Sequence, residues 1–346
     1  MAVRAINSAG TATTGIVVDG VSLGDAVAGY TTLPLAIAGS SNGDVIVYTE
    51  DAELPVHSAI VTALADIVVT ADDRVRFTGG AYGTGARQVS GAYHFSVTAG
   101  GSVTIKNLGW KKTAQGTLMA GGAGASLVLR RMVILYDGFA GYTIIYDSSA
   151  GASITIDNCR IEVAEQGGNT RAIYCASTDY AVSVFNTTIV YTSSAGTAVS
   201  LVRGASAALR VGCANVQALR TNAASVPSVC FLNATAHPSY AAGNNMSSKT
   251  DAPGTTVYNS VIADDILAGV SPLDMRWKDR ATAELYPGVD VSATISDYDA
   301  DFQARNDEWF VGADWIAATV AAVASASSIG FFLMCPFGLL YGLQDE

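Results

Sequence analysis

The sequence predicts an all-β chain wound into a solenoid of stacked parallel strands, and three observations support this prediction. A short pattern of alternating apolar residues returns along the middle of the chain. Each copy follows a second short apolar run and a turn rich in Gly, Ala and Ser. Apolar residues make up 50% of the 346 residues and charged residues only 14%. This composition suits small side chains inside tightly wound coils better than a helical bundle.

The repeat is clearest where Ile154 and Ile156 alternate with polar residues, Asn158 follows, and Ile161 comes three residues later. The copies begin at Val103, Leu127, Ile154, Val182, Leu209 and Thr255, which are 24, 27, 28, 27 and 46 residues apart. A period in the twenties is typical of stacked supersecondary units, here coils whose strands form parallel sheets. Most of the long last gap falls in residues 237–253, which we expect to be a surface insertion.

Asparagine is the third position of the repeat in four copies, and Arg131 and Cys213 replace it in two others. The four residues are Asn107, Asn158, Asn186 and Asn259. An inward amide at a corner can bond backbone that the turn leaves unpaired, and amides in register can bond each other. The alternative is that asparagine merely favours turns. The common register favours a structural ladder.

The chain before the repeats contains the elements that could close one end of the coil. Residues 1–29 are small, polar and Gly-rich, which predicts an arm or a first irregular strand. A short apolar helix is predicted at 31–39, and strands at 44–51, 66–69 and 74–78.

The run TTLPLAIAGSSNGDVIVYTED resembles the opening of right-handed parallel β-helix proteins of the pectate-lyase-like superfamily. The resemblance implies a right-handed single-stranded parallel β-helix over residues 30–270, with the short helix capping the open sheet edges. Residues 271–315 are similar to the closing segment of many bacterial and viral β-helices, where an Asp-x-Asp-Gly-x-x-Arg run precedes Ile-Gly-Ala-Asp or Glu. The matching positions are Asp297, Asp299, Arg305, Val311, Gly312, Ala313 and Asp314.

Two departures from that closing pattern bear on its role. The family's glycine is replaced near Asp301, and one extra residue precedes Arg305. The implied role is structural, with Arg305 bridging carboxylates such as Asp297 or Asp314. A calcium site at Asp297, Asp299 and Asp301 is an alternative, because alternate carboxylates supply hard oxygen ligands. Since the distal glutamate is also missing, neither a metal nor a cofactor is predicted.

Residues 316–346 are predicted to form an apolar C-terminal tail, because no charged residue occurs from Trp315 to Leu343. Its length would suit a membrane-spanning helix, but Pro336, Gly338 and Gly342 interrupt its second half and positive flanks are missing. We expect the tail to be buried against neighbouring subunits; packing on its own coil and membrane insertion are the alternatives. The expected contact residues are Phe331, Phe332, Leu333, Phe337, Leu339 and Leu340.

Acidic residues near one lateral turn are the only candidates for catalysis. Sugar hydrolysis needs two carboxyl groups about 5 to 9.5 Å apart, which neighbouring turns of a coil can provide. The candidates are Asp137, Glu162 and Glu165; the alternative is a solvated acidic edge, and no catalytic residue is assigned. Asp157 is instead expected to form an ion pair with Arg130 of the preceding turn.

Aromatic residues cluster at turns and strand ends of the central copies. They are expected to form a sugar-stacking or subunit-contact strip, or to be ordinary outward tyrosines of a β surface. The residues are Tyr136, Phe139, Tyr142, Tyr146, Tyr174, Tyr180 and Tyr191.

Charge and cysteine content restrict the partners. A net charge of −11 argues against nucleic acid or an anionic membrane surface as the main partner. Five cysteines lack metal-binding spacing and are expected to be buried thiols. The N-terminal residues lack the apolar stretch of a secretory signal.

These features resemble phage tail spikes and capsid-surface proteins. The expected function is therefore that of a non-enzymatic virion structural protein, assembled in the host cytoplasm into a homo-oligomer, with a trimer as the expected form. Its expected partners are other virion proteins and a host surface glycan. Two alternatives are a polysaccharide-degrading tail-spike enzyme, either a hydrolase or a lyase, and a membrane-anchored surface adhesin.

Overall fold

The structure, a computed structural model, describes residues 1–54, 59–77, 82–83, 85–90, 95–113, 119–121, 123–137, 143–147, 150–164, 170–194, 200–227, 229–271, 273–295, 303, 305 and 308–313. Within this part, Met1–Trp315 forms one compact unit. The predicted tail, 316–346, lies outside the described residues. In the described ranges, no helix combines the length and the apolar character that crossing a membrane requires.

Short strands dominate the described chain. In chain order the strands are β1 Val3–Ile6, β2 Ile16–Val18, β3 Val21–Gly24, β4 Ala28–Tyr30, β5 Val45–Tyr48, β6 Glu53–Leu54, β7 Ile60–Thr62, β8 Ile67–Ala71, β9 Arg87–Ser90, β10 Phe95–Val97, β11 Ser102–Lys106, β12 Gly109–Lys112, β13 Met119–Gly121, β14 Ser126–Arg130, β15 Val133–Tyr136, β16 Thr143–Asp147, β17 Ser153–Asp157, β18 Arg160–Val163, β19 Arg171–Cys175, β20 Val182–Phe185, β21 Thr188–Tyr191, β22 Ser200–Gly204, β23 Val211–Ala214, β24 Gln217–Arg220, β25 Val229–Leu232, β26 Ala234–Ala236, β27 Gly243–Ser247, β28 Thr256–Tyr258, β29 Leu267–Val270 and β30 Leu273–Trp277. The helices are α1 Leu33–Ala38, α2 Ala263–Ile266 and α3 Arg280–Glu284.

Successive turns of the chain add one strand to each of three sheets. The first sheet has ten strands in the order β4-β1-β5-β8-β11-β14-β17-β20-β23-β26. The second has nine, β6-β9-β12-β15-β18-β21-β24-β27-β28, and the third has seven, β7-β10-β13-β16-β19-β22-β25. Neighbouring strands pair in parallel along all three sheets; β11 with β14, β12 with β15 and β16 with β19 are examples. The predicted all-β parallel helix is therefore confirmed.

The predicted register is confirmed through the central turns. Ile105 pairs with Leu129, Leu129 with Ile156, and Ile156 with Val184. These four side chains are fully buried and belong to one continuous apolar cluster inside the coil. The alternation of apolar and polar residues therefore separates the interior from the outer face of the first sheet.

The fifth copy of the repeat begins two residues later than predicted. Val184 pairs with Cys213, so the copy starts at Val211, not Leu209. Cys213 consequently lies inside the strand and Asn215 occupies the corner. The start of this copy was mispredicted because Leu209 and Val211 are both apolar and, being two residues apart, lie on the same side of an extended chain.

The region after the fifth copy also differs from the prediction. Residues 237–253 are not simply a surface insertion, because β27 lies within them, is buried throughout and pairs with β24. The sixth predicted copy belongs to the second sheet, where β28 pairs with β27. The Asn245 amide explains how a polar run can form a buried strand. It accepts a hydrogen bond from Val216 N and donates to Pro253 O, at 2.9 and 2.7 Å.

Part of the N-terminal segment, predicted as an arm or a first irregular strand, belongs to the coil itself. β1 lies between β4 and β5 in the first sheet, while β2 and β3 form an antiparallel hairpin. The predicted helix is confirmed as α1, which buries Leu33, Ala36 and Ile37 in the same cluster as Ile6. The strand predicted at 74–78 is wrong for its described part, because Asp72 accepts hydrogen bonds from Arg74 N and Nε and the chain turns there.

The four cysteines in the described ranges are buried free thiols, as predicted. They are Cys159, Cys175, Cys213 and Cys230. Burial raises the pKa of the Cys230 thiol to about 12, so it is protonated at neutral pH. Cys335 lies outside the described residues.

Candidate functional site

A column of buried polar residues marks the corner where the first sheet turns into the second. Asn107, Arg131, Asn158, Asn186 and Asn215 all have left-handed backbone, with φ of 61°, 49°, 51°, 42° and 57°. Asparagine tolerates this conformation better than most residues, since its short side chain bonds nearby backbone. We call these five residues the corner column. All five are at least 96% buried.

Two neighbouring pairs in the corner column form hydrogen bonds between turns. Asn215 donates from Nδ2 to Asn186 Oδ1 at 2.7 Å, and Arg131 donates from Nε to Asn107 Oδ1 at 3.0 Å. The structure therefore places three of the four predicted ladder residues, Asn107, Asn158 and Asn186, at equivalent corners. Asn259 is not in the column; it is exposed, and its Oδ1 accepts a hydrogen bond from Ala252 N.

The N-terminal hairpin covers one end of the corner column. Asp19 lies in the turn between β2 and β3, where its carboxylate accepts hydrogen bonds from Lys106 at 2.6 Å, Arg131 at 2.8 Å and Asn107 at 3.0 Å. Partial burial would raise the pKa of Asp19, but hydrogen bonding and the charges of Lys106 and Arg131 outweigh it, so the pKa is lowered. The hairpin is thus fastened to two successive turns by a charged carboxylate.

The closing segment covers the other end. Val289 exchanges two hydrogen bonds of 2.7 Å with the Asn215 amide, and Gly312 N donates to Asn215 O. Gly312 has φ of 98°, and a Cβ at this position would lie 2.6 Å from the Gln217 side chain. Only glycine allows the segment to approach the corner so closely.

Arg305 joins the closing segment to the middle of the coil. Its fully buried side chain donates from Nη2 to Asn158 Oδ1 at 2.8 Å, and its guanidinium lies 4.9 Å from the ring centre of Trp309. The contact with the corner column was not predicted. Its expected partners Asp297 and Asp314 lie outside the described residues, as do Asp299 and Asp301 of the alternative calcium site.

The candidate catalytic acids occupy adjacent turns of the second sheet. Leu135 pairs with Glu162, and Asp137 lies two residues beyond Leu135. Partial burial raises the pKa of Glu162; a hydrogen bond from Thr192 opposes this shift and the charge of Asp137 adds to it. Asp137 is exposed, and Glu165 lies outside the described residues. Glu162 is thus the partly buried member of the pair, with a raised pKa, and Asp137 is the exposed member.

The predicted aromatic strip separates into different environments. Tyr136 and Tyr191 are buried inside the coil, and Phe139 and Tyr142 lie outside the described residues. Tyr180 lies beneath the Arg210 guanidinium, 5.0 Å from ring centre to Cζ. The remaining two, Tyr146 and Tyr174, come together on the outer face of the third sheet.

Two tyrosines and two arginines form a compact outward-facing group on the third sheet. Tyr146 pairs with Tyr174 and Tyr174 with Arg203 in register. The tyrosine rings stack at 5.4 Å with 8° between their planes, and Arg171 Cζ lies 4.5 Å from the Tyr174 ring centre. We call Tyr146, Arg171, Tyr174 and Arg203 the tyrosine–arginine surface.

The positive charges of the two arginines of this surface are not balanced by acidic side chains in the described part of the chain. The Nε atoms of Arg171 and Arg203 are buried and have no hydrogen-bond acceptor, and neither guanidinium forms an ion pair in the described part of the chain. Burial and the charge of Arg203 lower the pKa of Arg171. The sequence indicated the tyrosines but not the arginines, because their proximity depends on the register between turns.

Comparison with family models, with curated proteins and with solved structures gives no match for this chain.

Proposed function

We propose that this chain is a virion structural protein whose β-helical body forms a rigid projection, as a spike, fibre or capsid-decoration component. In this role it serves attachment or reinforcement without catalysis. It assembles as a homo-oligomer, with a trimer as the proposed form, and docks onto other virion proteins. The resemblance of its closing segment to that of many bacterial and viral β-helices supports this proposal.

The observation that carries the proposal is the attachment of both ends of the described body to one corner of a continuous coil. Asp19 fastens the N-terminal hairpin to Asn107 and Arg131. Val289 and Arg305 fasten the closing segment to Asn215 and Asn158. Parallel pairing joins each turn to the next, and unwinding from either end must first break the contacts of the hairpin or of the closing segment. Such a body suits a projection that bears load.

The apolar tail supports assembly into a particle. Residues 329–343 contain no charged side chain and include the predicted contact residues Phe331, Phe332, Leu333, Phe337, Leu339 and Leu340. Apolar surface removed from water contributes about 25 cal/mol per Å², so burial of this run between subunits would stabilise an oligomer.

Deletion of Ile329 to Glu346 is expected to abolish oligomerisation and leave the coil folded. Sedimentation equilibrium should give a trimer for the full chain and a monomer for the deletion variant, with the same far-UV circular dichroism. Deletion of 344–346 alone is the matched control, because it removes the acidic end and retains the apolar run. A deletion variant that assembles like the full chain would contradict the proposal. Antibody labelling of purified native particles tests whether the chain is a virion component.

The raised pKa of Glu162 beside Asp137 favours a second candidate function, cleavage of a surface polysaccharide. A glycosidase needs one carboxyl group that stays protonated and a second that is ionised. If this activity exists, E162Q should lower the release of reducing ends about a hundredfold, while D265N, an exposed acid far along the chain, should not change it. Absence of release from host polysaccharide by the unmodified chain would exclude this candidate.

A further inference from the structure

We infer that the tyrosine–arginine surface is a binding site for an anionic sugar unit. In this arrangement a pyranose ring lies against the exposed edges of the stacked tyrosine rings, and its carboxylate or phosphate group lies between the guanidinium groups of Arg171 and Arg203. This inference rests on the attachment role proposed above and names the chemical class of the ligand. It concerns the outer face of the third sheet, away from the acids of the second sheet.

Charge is the first argument for an anion. The chain carries a net charge of −11, yet Arg171 and Arg203 lie together without an ion-pair partner in the described ranges. Their Nε atoms are shielded from water and lack acceptors among the described residues. A partly desolvated, uncompensated charge is costly, and two like charges in proximity add to that cost. An anion between the two guanidinium groups would neutralise the partly desolvated charges and reduce the repulsion between them. It could also accept hydrogen bonds from their remaining N–H groups.

Shape is the second argument. Tyr146, Tyr174 and Arg203 are successive members of one column, and neighbouring strands lie about 4.8 Å apart. The column therefore spans about 10 Å, which is long enough for more than one sugar ring. Both tyrosines are partly exposed, and their rings are nearly parallel at 8°. Because the rings stack on each other at 5.4 Å, it is their exposed edges, beside the arginine donors, that offer a contact surface to a ring with a charged substituent.

Another arginine–tyrosine pair in the same chain provides an internal comparison. Arg210 lies over Tyr180 at 5.0 Å, much as Arg171 lies over Tyr174 at 4.5 Å. The charge of Arg210 is compensated by Asp179, with Nη2 and Oδ2 2.6 Å apart. The Arg210 pair therefore fits a structural role. In the tyrosine–arginine surface, by contrast, no carboxylate of the described residues pairs with the arginines, so their charges can bind an anionic ligand.

The test measures binding of the full-length chain to three probes by isothermal titration calorimetry. The probes are a uronic acid tetrasaccharide, its carboxyl-reduced neutral form, and a polymer of glycosylated glycerol phosphate. We expect the neutral form to bind at least about tenfold more weakly than one or both anionic probes. The phosphate polymer distinguishes phosphate from carboxylate as the recognised group. Binding by the unmodified chain should also weaken as the NaCl concentration rises.

Variants locate the site. R171Q and R203Q should each weaken anionic binding about tenfold, and Y174L should weaken it as well, while R210Q should leave it within twofold. Equal binding of neutral and anionic probes, no binding of either anionic probe, or an equal effect of R210Q would overturn the inference. The salt dependence and probe preference of the unmodified chain remain decisive if a variant fails to fold. Assembly measured by sedimentation is independent of these results, so loss of the ligand proposal would leave the structural role testable.

Discussion

Replacement of Asn215 by valine is expected to lower the free energy of unfolding by about 3 to 5 kcal/mol, as the combined effect of lost buried hydrogen bonds and backbone strain. The Asn215 amide bonds Asn186 and both backbone groups of Val289, each at 2.7 Å. Valine makes none of these bonds. It also places a β-branched side chain at φ of 57°, a conformation that such residues rarely adopt. Urea unfolding followed by circular dichroism measures the loss.

Two matched variants separate the contributions to this effect. Asn215→Gly accepts the same φ without strain, so its smaller loss reports the lost hydrogen bonds together with the greater entropy of the unfolded chain. Asn259→Val changes an exposed asparagine outside the corner column and is expected to cost less than about 0.5 kcal/mol. Equal losses for Asn215→Val and Asn259→Val would show that the corner column contributes no special stability.

The central turns could be predicted from sequence because their interior is apolar and regular. Ile105 and Ile156 have polar neighbours on both sides, Leu129 and Val184 on one side, and the turns between these four residues differ in length by only a few residues. A one-residue error would place apolar side chains in water, so the sequence specifies this register strongly. The positions of the corresponding strands in the first sheet follow directly.

A register error of two residues is harder to detect, because the same side chains of the strand still point inward and outward. This is why the fifth copy could be placed at Leu209 although the chain uses Val211. The corner provides the missing information: with Val211 first, Asn215 comes into register with Asn186. A corner that requires positive φ selects asparagine independently of the apolar pattern. Combining both signals would have identified the correct frame.

Contacts between terminal segments and the coil could not be derived in the same way. Arg305 lies 147 residues from Asn158 in sequence, and no periodic pattern relates them. The tyrosine–arginine surface combines Tyr146, Tyr174 and Arg203 from three turns, so its composition depends on the lengths of the intervening loops. Sequence identified the aromatic members by residue type, but the register of the third sheet was needed to identify the arginines.

Replacement of Arg130 by methionine is expected to cost about 3 kcal/mol at pH 7, near the low end for breaking a buried ion pair. The predicted pair with Asp157 is present, with Arg130 Nε 2.9 and 3.1 Å from the two carboxylate oxygens. The Asp157 side chain is fully buried, whereas that of Arg130 is 31% exposed. Methionine would retain much of the apolar stem and leave the buried carboxylate without its main cation.

The cost of Arg130→Met is also expected to depend on pH. Burial raises the pKa of Asp157 despite the opposing charges of Arg130 and Arg131, and removal of Arg130 should raise it further. A carboxyl group with a higher pKa in the folded state favours folding when protonated, so the loss should shrink as pH falls from 7 through that folded pKa toward the unfolded value of about 4. Urea unfolding at pH 7 and pH 4.5 measures this. Adding Asp157→Asn should recover much of the loss at pH 7 and remove the difference between the two pH values, because no buried carboxylate then remains at this position. An equal loss at both pH values in Arg130→Met would mean that Asp157 is compensated without Arg130.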